Sequence, residues 1–305
     1  MARRRYSLDG KAVLITGAAR GIGAESARRI AKRGGRVALV GLEPQELERV
    51  AAECGPEAIW FEADVTDRES LEAAISGTVE RFGGIDVAMA NAGVGAGGLV
   101  VRTDPEWLER VMEINLIGAA RTLRLCLPHV IERRGYLLPV ASLAAVGHAP
   151  GMAPYAASKA GIEAFADSLR MEVAHHGVGV GVAYFSWIDT DMVRGAEEHK
   201  DFSFMRSGIR GPLAKTYPVS AAADSVVRGI ERRSRWVMTP RWLGALIVAR
   251  GLVQPLVDSQ VSDRIAELEQ LSAEEEGRLG AAGGARAIGA GGEAAMRSAA
   301  ARSSL

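Results

Sequence analysis

Short apolar or β-branched runs recur along the chain, at Ala12 to Thr16, Arg36 to Val40, Ala58 to Phe61, Val87 to Ala90, Tyr136 to Val140 and Val178 to Phe185. Between them, Gly23 to Lys32, Pro44 to Glu53, Arg68 to Arg81 and Glu106 to Val130 repeat apolar residues at helical spacing and carry charge on the opposite face. Strand and helix patterns in alternation predict βαβ units, and so an α/β fold: a doubly wound parallel sheet with helices on both faces. Several of the runs are apolar without interruption, which suits strands buried on both sides. From Asp191 to Pro218 the pattern turns irregular, with Gly, Pro and scattered aromatics. After a late strand of an open sheet such an insertion overhangs the ligand crevice, so residues 191–218 are expected to form a substrate lid. Ala221 to Arg233 then reads as a helix, Trp236 to Met238 as a last strand, and Trp242 to Glu269 as one or two helices broken at Gly251 and Pro255.

The expected organisation is a solvated N-terminal arm (1–9), one α/β domain (10–240) that includes the lid, a C-terminal helical extension (241–272) and a tail (273–305). The tail is Gly, Ala, Arg and Ser with almost no large apolar side chains beyond Glu274, too little to offset the entropy of ordering, and is expected to lack structure. Within the extension, Trp242, Leu246, Ala249, Val253 and Val257 share a helical spacing with arginines beside them. That stripe suits a packed helix or a dimer contact, and it also suits a helix lying on a membrane surface.

Charge and composition narrow the function classes. Lys plus Arg and Asp plus Glu balance at 37 each, so no net basic field draws a nucleic-acid backbone, and no nucleic-acid partner is expected. Cys54 and Cys126 are the only cysteines and sit in no CxxC or Cys/His cluster, which reads as reduced thiols in a cytoplasmic protein. The basic start, Met1 to Arg5, is followed by no apolar core of a signal sequence. The most apolar stretch, Trp236 to Val257, is broken by Arg241, Arg250 and Pro255, whereas a spanning helix needs about 20 predominantly apolar residues. Five histidines show no metal-ligand spacing, so no metal site is expected.

Two motifs carry candidate chemistry. Thr16-Gly17-Ala18-Ala19-Arg20-Gly21-Ile22-Gly23 lies between the first strand and the first helix. Its glycines allow a tight turn and close backbone approach, and the helix N-terminus beyond offers free N–H groups to a pyrophosphate; a plain strand-to-helix turn would look much the same. The second motif is Ser142, then Tyr155 thirteen residues later, then Lys159. If Tyr155 opens a helix, the i,i+4 spacing puts phenol and ammonium on one face, where the cation favours the phenolate and lowers the phenol's pKa. A phenol so tuned exchanges protons with an alcohol or a carbonyl, and Ser142, ending the fifth strand, can hydrogen-bond the same oxygen. Taken alone, a Tyr and a Lys four apart are ordinary features of a surface helix.

In this order and on these elements, the motifs resemble the short-chain dehydrogenase/reductase family from about Gly10 to Met192. The likeness takes in the glycine turn, Asp64-Val65, Asn91-Ala92-Gly93, Asn115, Ser142, Tyr155 and Lys159. It implies a Rossmann-type domain and an NAD(P)(H)-dependent oxidoreductase acting on a small-molecule alcohol or carbonyl. It implies Tyr155 as general acid/base, Lys159 as its tuner and as a hold on the nicotinamide ribose, Ser142 as the group orienting the substrate oxygen, and Asn115 as support for a water-linked proton relay. Cofactor contacts would fall on Gly17, Arg20, Gly21, Ile22 and Gly23 in the turn, on Asp64 and Val65 at the adenine end, on Asn91, Ala92 and Gly93 beside the ribose, and on Tyr155, Lys159, Ile188 and Thr190. The family's assembly state implies a homodimer or homotetramer.

Two departures matter. Phe185-Ser186 stands where the family usually has Pro-Gly, which alters the wall near Thr190. At the end of the second strand, where an acid selects NAD and an arginine NADP, stands Gly41, followed by Leu42 and Glu43. Glu43 could turn inward or could be a solvated charge before Pro44; with no Lys or Arg from Val37 to Glu48, NAD is favoured over NADP, while Arg20 argues the other way. The C-terminal extension points by analogy to an apolar substrate, steroid-like or lipid-derived. The rival reading is a protein that binds the dinucleotide without turnover, as a sensor or scaffold; it would have no use for the serine and tyrosine hydroxyls.

Overall fold

In the computed structural model, which describes residues 5–95, 97–198, 200–252 and 288–303 together with 255, 265, 267–271 and 273–274, the chain begins its sheet in the middle. Strand β1 (Ala12–Thr16) is buried along its whole length. It pairs in parallel with β2 (Arg36–Gly41) on one side and β4 (Val87–Ala90) on the other. With β3 (Ile59–Glu62), β5 (Tyr136–Pro139) and β6 (Gly179–Val180), the order is β3-β2-β1-β4-β5-β6. The reversal between β1 and β4 opens a crevice at the carboxyl ends of the strands, the place where such sheets bind ligands.

Alternate residues of each strand feed two cores, as the pleat requires. Leu14, Val40, Ala88 and Leu137 pack with Leu71 and Ile75 of α3 (Arg68–Phe82), Leu123 and Cys126 of α5 (Ala119–Glu132), and Ile162 and Leu169 of α6 (Ala153–Val173). Val13, Ile15, Leu39 and Met89 pack on the other face with Ala27 and Ile30 of α1 (Gly21–Ala31), Leu47 and Val50 of α2 (Pro44–Cys54), and Val226 and Ile230 of α9 (Val219–Arg232). Both cysteines are free.

Three sequence expectations change. The run Val178 to Phe185 is two strands, β6 and β7 (Val182–Phe185), parted at Gly181. Through that gap the Tyr136 hydroxyl donates to the Ser234 carbonyl at 2.7 Å, and a Cβ on residue 181 would collide with both groups. β7 pairs with β8 (Trp236–Thr239) and meets the end of β5 through a Val140–Ala183 bridge. The helix expected over Glu106 to Val130 is α4 (Pro105–Met112) and α5 joined by a π-helical turn, Glu113–Gly118. The segment 191–218 is largely helical, with α7 (Asp191–Glu197), α8 (Lys200–Ser207) and a 3₁₀ turn at Gly211–Ala214. Its scattered apolar residues find partners: Phe202 is buried with Ala196 and meets Trp187 edge to face at 5.5 Å between ring centroids.

In the extension, α10 (Leu243–Val248) buries Leu243 and Ile247, one position away from the expected stripe. Trp242 and Leu246 pack partly against the core, while Val248 and Leu252 are about 75% and 71% exposed. Val253 and Val257 of the stripe lie outside the described residues. No helix among the described residues is long and apolar enough to cross a membrane. The tail, expected to lack structure, contains α11 (Gly289–Ser303). Composition misses it because alanine is the strongest helix former, and a helix docked on an existing body needs no core of its own.

Candidate active site

The glycine turn leaves β1 at Thr16 and enters α1 with no side-chain cap on its first amides. Gly17 has φ +64°, and a Cβ there would stand 2.7 Å from Ala92 Cα, so the turn and the segment after β4 touch backbone to backbone. Asn91 fastens them: its Nδ2 donates to the carbonyls of Thr16 at 3.0 Å and Gly17 at 2.9 Å, while Thr16 Oγ1 accepts from the amides of Asn91 and Ala92. Gly17→Ala should therefore lower stability by about 1–3 kcal/mol, the usual strain of a non-glycine residue in this region, and loosen dinucleotide binding with it. An unchanged urea midpoint would count against that packing.

Ser142, Tyr155 and Lys159 meet at the other side of the cleft. Met152, Ala153 and Pro154 start α6 just ahead of Tyr155, so phenol and ammonium fall on one face, with Lys159 Nζ 5.6 Å from the Tyr155 ring centroid. A side-chain hydrogen bond joins Tyr155 and Ser142. Lys159 is about 4% exposed, and its Nζ donates to the Val140 carbonyl at 2.9 Å. Burial pulls the Lys159 ammonium down to about 8. Burial also raises the Tyr155 phenol, outweighing the lowering by Ser142. The spacing predicts that the cation lowers the phenol; in the fold the ammonium donates to the Val140 carbonyl, and desolvation prevails.

Asn115 stands behind this group, not in the cleft. The π turn carries its side chain inward, where Oδ1 accepts from Val94 N at 2.8 Å and Nδ2 donates to Val94 O at 3.0 Å and Ser158 Oγ at 3.3 Å. A Cβ on residue 93 would lie 3.0 Å from Asn115 Oδ1 and 3.3 Å from Lys159 Nζ, so Gly93 is the window through which both approach the cleft.

The remaining residues singled out in the sequence line the same cleft, Gly23 excepted, which sits behind the turn. Arg20 pairs with Glu43 and also reaches Asp191 Oδ2 at 3.3 Å, so the two residues that argued for opposite cofactors hold each other at the mouth. Ile188 and Thr190 face the turn from the far side; Thr190 Oγ1 accepts from Val193 N and caps α7. Phe185 packs into the core and yet lines the cleft beside Ser186, so the departure from Pro-Gly adds both residues to the wall; the buried Ser186 Oγ has no partner among the described residues. At the opposite end, burial would raise the Asp64 carboxyl, but hydrogen bonds from Ser298 and Thr66 and the charge of Arg110 hold it at about 2.

Sequence reasoning missed one wall altogether. Ile288 and, from the C-terminal helix after it, Gly291, Gly292, Ala294 and Ala295 line the cleft. Nothing in a Gly/Ala segment signals a binding surface, because its contribution is backbone.

The donors fit a dinucleotide: uncapped amides at the start of α1, a glycine window before Lys159, and acceptors at both ends. A family model for short chain dehydrogenase matches residues 11–201. The 3-oxoacyl-[acyl-carrier-protein] reductase FabG of Vibrio cholerae is 30% identical over 217 residues, 71% of this chain and 89% of that protein. The 11-beta-hydroxysteroid dehydrogenase-like 6 of Arabidopsis thaliana is 32% identical over 255 residues, 80% of this chain and 74% of that protein. Among solved structures, a 3-ketoacyl-(acyl-carrier-protein) reductase from Brucella melitensis complexed with NADH superposes with a TM-score of 0.69 at 27% identity, covering 76% of this chain and 97% of that one.

Proposed function

The chain belongs to the short-chain dehydrogenase family, and from that premise we propose that it moves a hydride between a nicotinamide dinucleotide and an apolar secondary alcohol or ketone, steroid-like or lipid-derived. The observation that carries this reading is the meeting of Ser142, Tyr155 and Lys159 in the cleft that the glycine turn opens. The turn, Asn91 to Gly93 and Lys159 would hold the dinucleotide, which when bound would supply or accept the hydride. The chain's own residues handle the oxygen and the proton. Ser142 Oγ donates to the substrate oxygen and fixes it beside Tyr155 Oη. In reduction the phenol gives its proton to that oxygen; in oxidation the phenolate removes the hydroxyl proton. Lys159 offsets the charge left on the phenolate, and Asn115 holds the Val94 backbone behind Gly93 and supports the relay that restores the proton. A pure sensor of the dinucleotide would leave the Tyr155–Ser142 hydrogen bond without a task.

Two considerations support an apolar substrate. Relatives at this level of identity are named for steroid and acyl substrates, and the segment over the cleft presents Met192 with Trp187 and Phe202 packed behind it. The deciding experiment is a cofactor-coupled screen of steroid, fatty and small secondary alcohols and their ketones. Turnover confined to small polar substrates would overturn the substrate class, and no turnover of any would overturn the reaction.

For the dinucleotide we favour NAD. The Glu43 carboxylate sits beside Leu42 at the end of β2, and pairing with Arg20 keeps that guanidinium from a 2′-phosphate. NADH should bind more tightly than NADPH in a fluorescence titration. Glu43→Gln should remove one of the two carboxylates that hold Arg20, leaving Asp191, and shift the ratio toward NADPH by roughly tenfold, about 1.4 kcal/mol. Tighter NADPH binding by the unaltered chain would reverse the assignment.

A further inference from the structure

The end of the chain is built into the cleft that its beginning opens. Ile288 forms an antiparallel bridge with Gly95. Gly289, at φ +71°, lies so close to the next wall that a Cβ there would be 2.8 Å from the Asp191 carbonyl. From this point α11 runs to the opposite end of the cleft. There Ser298 Oγ donates to Asp64 Oδ2 at 2.6 Å, and Arg110 donates both to that same oxygen at 3.0 Å and to the Ala295 carbonyl at 3.5 Å. The helix is thus fastened at the lid end and again at the Asp64 end.

Between the fastenings, the residues that face the cleft are Gly291, Gly292, Ala294 and Ala295. No side chain larger than a methyl enters, and the cavity continues beneath the helix from the glycine turn to Asp64 and Val65. A segment that blocked the cleft would fill it with bulk. This one closes the outer side and keeps the interior open. Ala295, about 3% exposed, joins Val65, Val111 and Ile114 in the apolar patch that borders the Asp64 end.

We propose that α11 is the outer wall of the dinucleotide site, a strap that keeps the adenosine half in place once bound, with the Ser298–Asp64 hydrogen bond as its catch. The proposal rests on the reading that this cleft takes a nicotinamide dinucleotide. Asp64 then acts through the strap: Oδ1 accepts from Thr66 N and Oγ1, and Oδ2 from Arg110 and Ser298. Since the ligand cannot leave past a fastened wall, the strap governs release more than entry.

The test is NADH release by stopped-flow fluorescence, with equilibrium titration, on the full chain, on a chain ended at residue 287 and on Ser298→Ala in the full chain. The shortened chain should release NADH at least tenfold faster and bind it correspondingly more weakly, with its far-UV circular dichroism otherwise intact. Ser298→Ala should move in the same direction by a few fold. Tighter binding by the shortened chain would mean that α11 competes with the ligand, and unchanged release would mean that it does nothing; either overturns the proposal. If the shortened chain does not fold, Ser298→Ala decides, and unaltered release in that variant overturns it. A full chain that bound neither NADH nor NADPH would overturn the reading of the cleft itself.

Discussion

Tyr155→Phe leaves the dinucleotide bound and stops the reaction: kcat is expected to fall by about 10²- to 10⁴-fold, the range that general acid/base catalysis supplies, while the dissociation constant for NADH changes little. The substitution removes one oxygen from a side chain whose ring stays packed against the patch formed by Val65, Val94 and Ile114. What disappears is the hydroxyl proposed as the proton donor, with the hydrogen bond it shares with Ser142. Steady-state turnover and a fluorescence titration on the same preparation check both halves. Retained turnover would remove Tyr155 from the mechanism, whereas lost binding would make it a structural residue.

Lys159→Ala should fail in two ways at once, because the proposed mechanism gives one ammonium two groups to serve. Turnover should drop by a factor comparable to that of the tyrosine variant, and NADH binding should weaken as the ribose loses its cation. The pH profile separates this from mere loss of packing. Oxidation needs the phenolate, so its rate rises with pH through the titration of the Tyr155/Lys159 pair; reduction needs the phenol and falls over the same range. The Lys159 cation favours the phenolate, and with its own ammonium at about 8 it contributes most below that pH. Without it, burial raises the phenol with only the Ser142 hydrogen bond opposing it. The rising limb of the oxidation profile should therefore move to higher pH in the variant. A limb that stays in place, together with an unaltered dissociation constant, would assign Lys159 to the fold alone.

What the sequence made legible follows from where each signal resides. The strands of the parallel sheet read clearly because burial on both faces leaves an unbroken apolar run, as in Val87 to Ala90. Catalytic candidates read clearly because their spacing is local: Tyr155 and Lys159 share a helix turn, and the glycine turn is one continuous segment. The break at Gly181 did not, since it depends on a tyrosine hydroxyl arriving from a neighbouring strand. Nor did the state of the phenol, which spacing assigns to a nearby cation and the fold assigns to desolvation. Glu43 and Arg20 could not be weighed separately, because each is the other's partner. The C-terminal helix was the largest omission. Its stability comes from a surface made by Asp64, Gly95, Arg110 and Asp191, none of them near it in sequence.

The π turn at Glu113–Gly118 has a consequence for the phasing of the helix that contains it. Before it, α4 turns Trp107 and Val111 toward the patch beside the cleft; after it, α5 turns Leu123, Cys126 and Val130 toward the sheet. A regular helix advances about 100° per residue, at 3.6 residues per turn, and one wide turn inserts an offset between the two halves. The offset lets each half keep the face its own surroundings require, as a vernier reconciles two scales that do not share a unit. It also means that this stretch cannot change length by a single residue: an insertion or deletion there would rotate one buried face into solvent or carry Asn115 out from behind the glycine window.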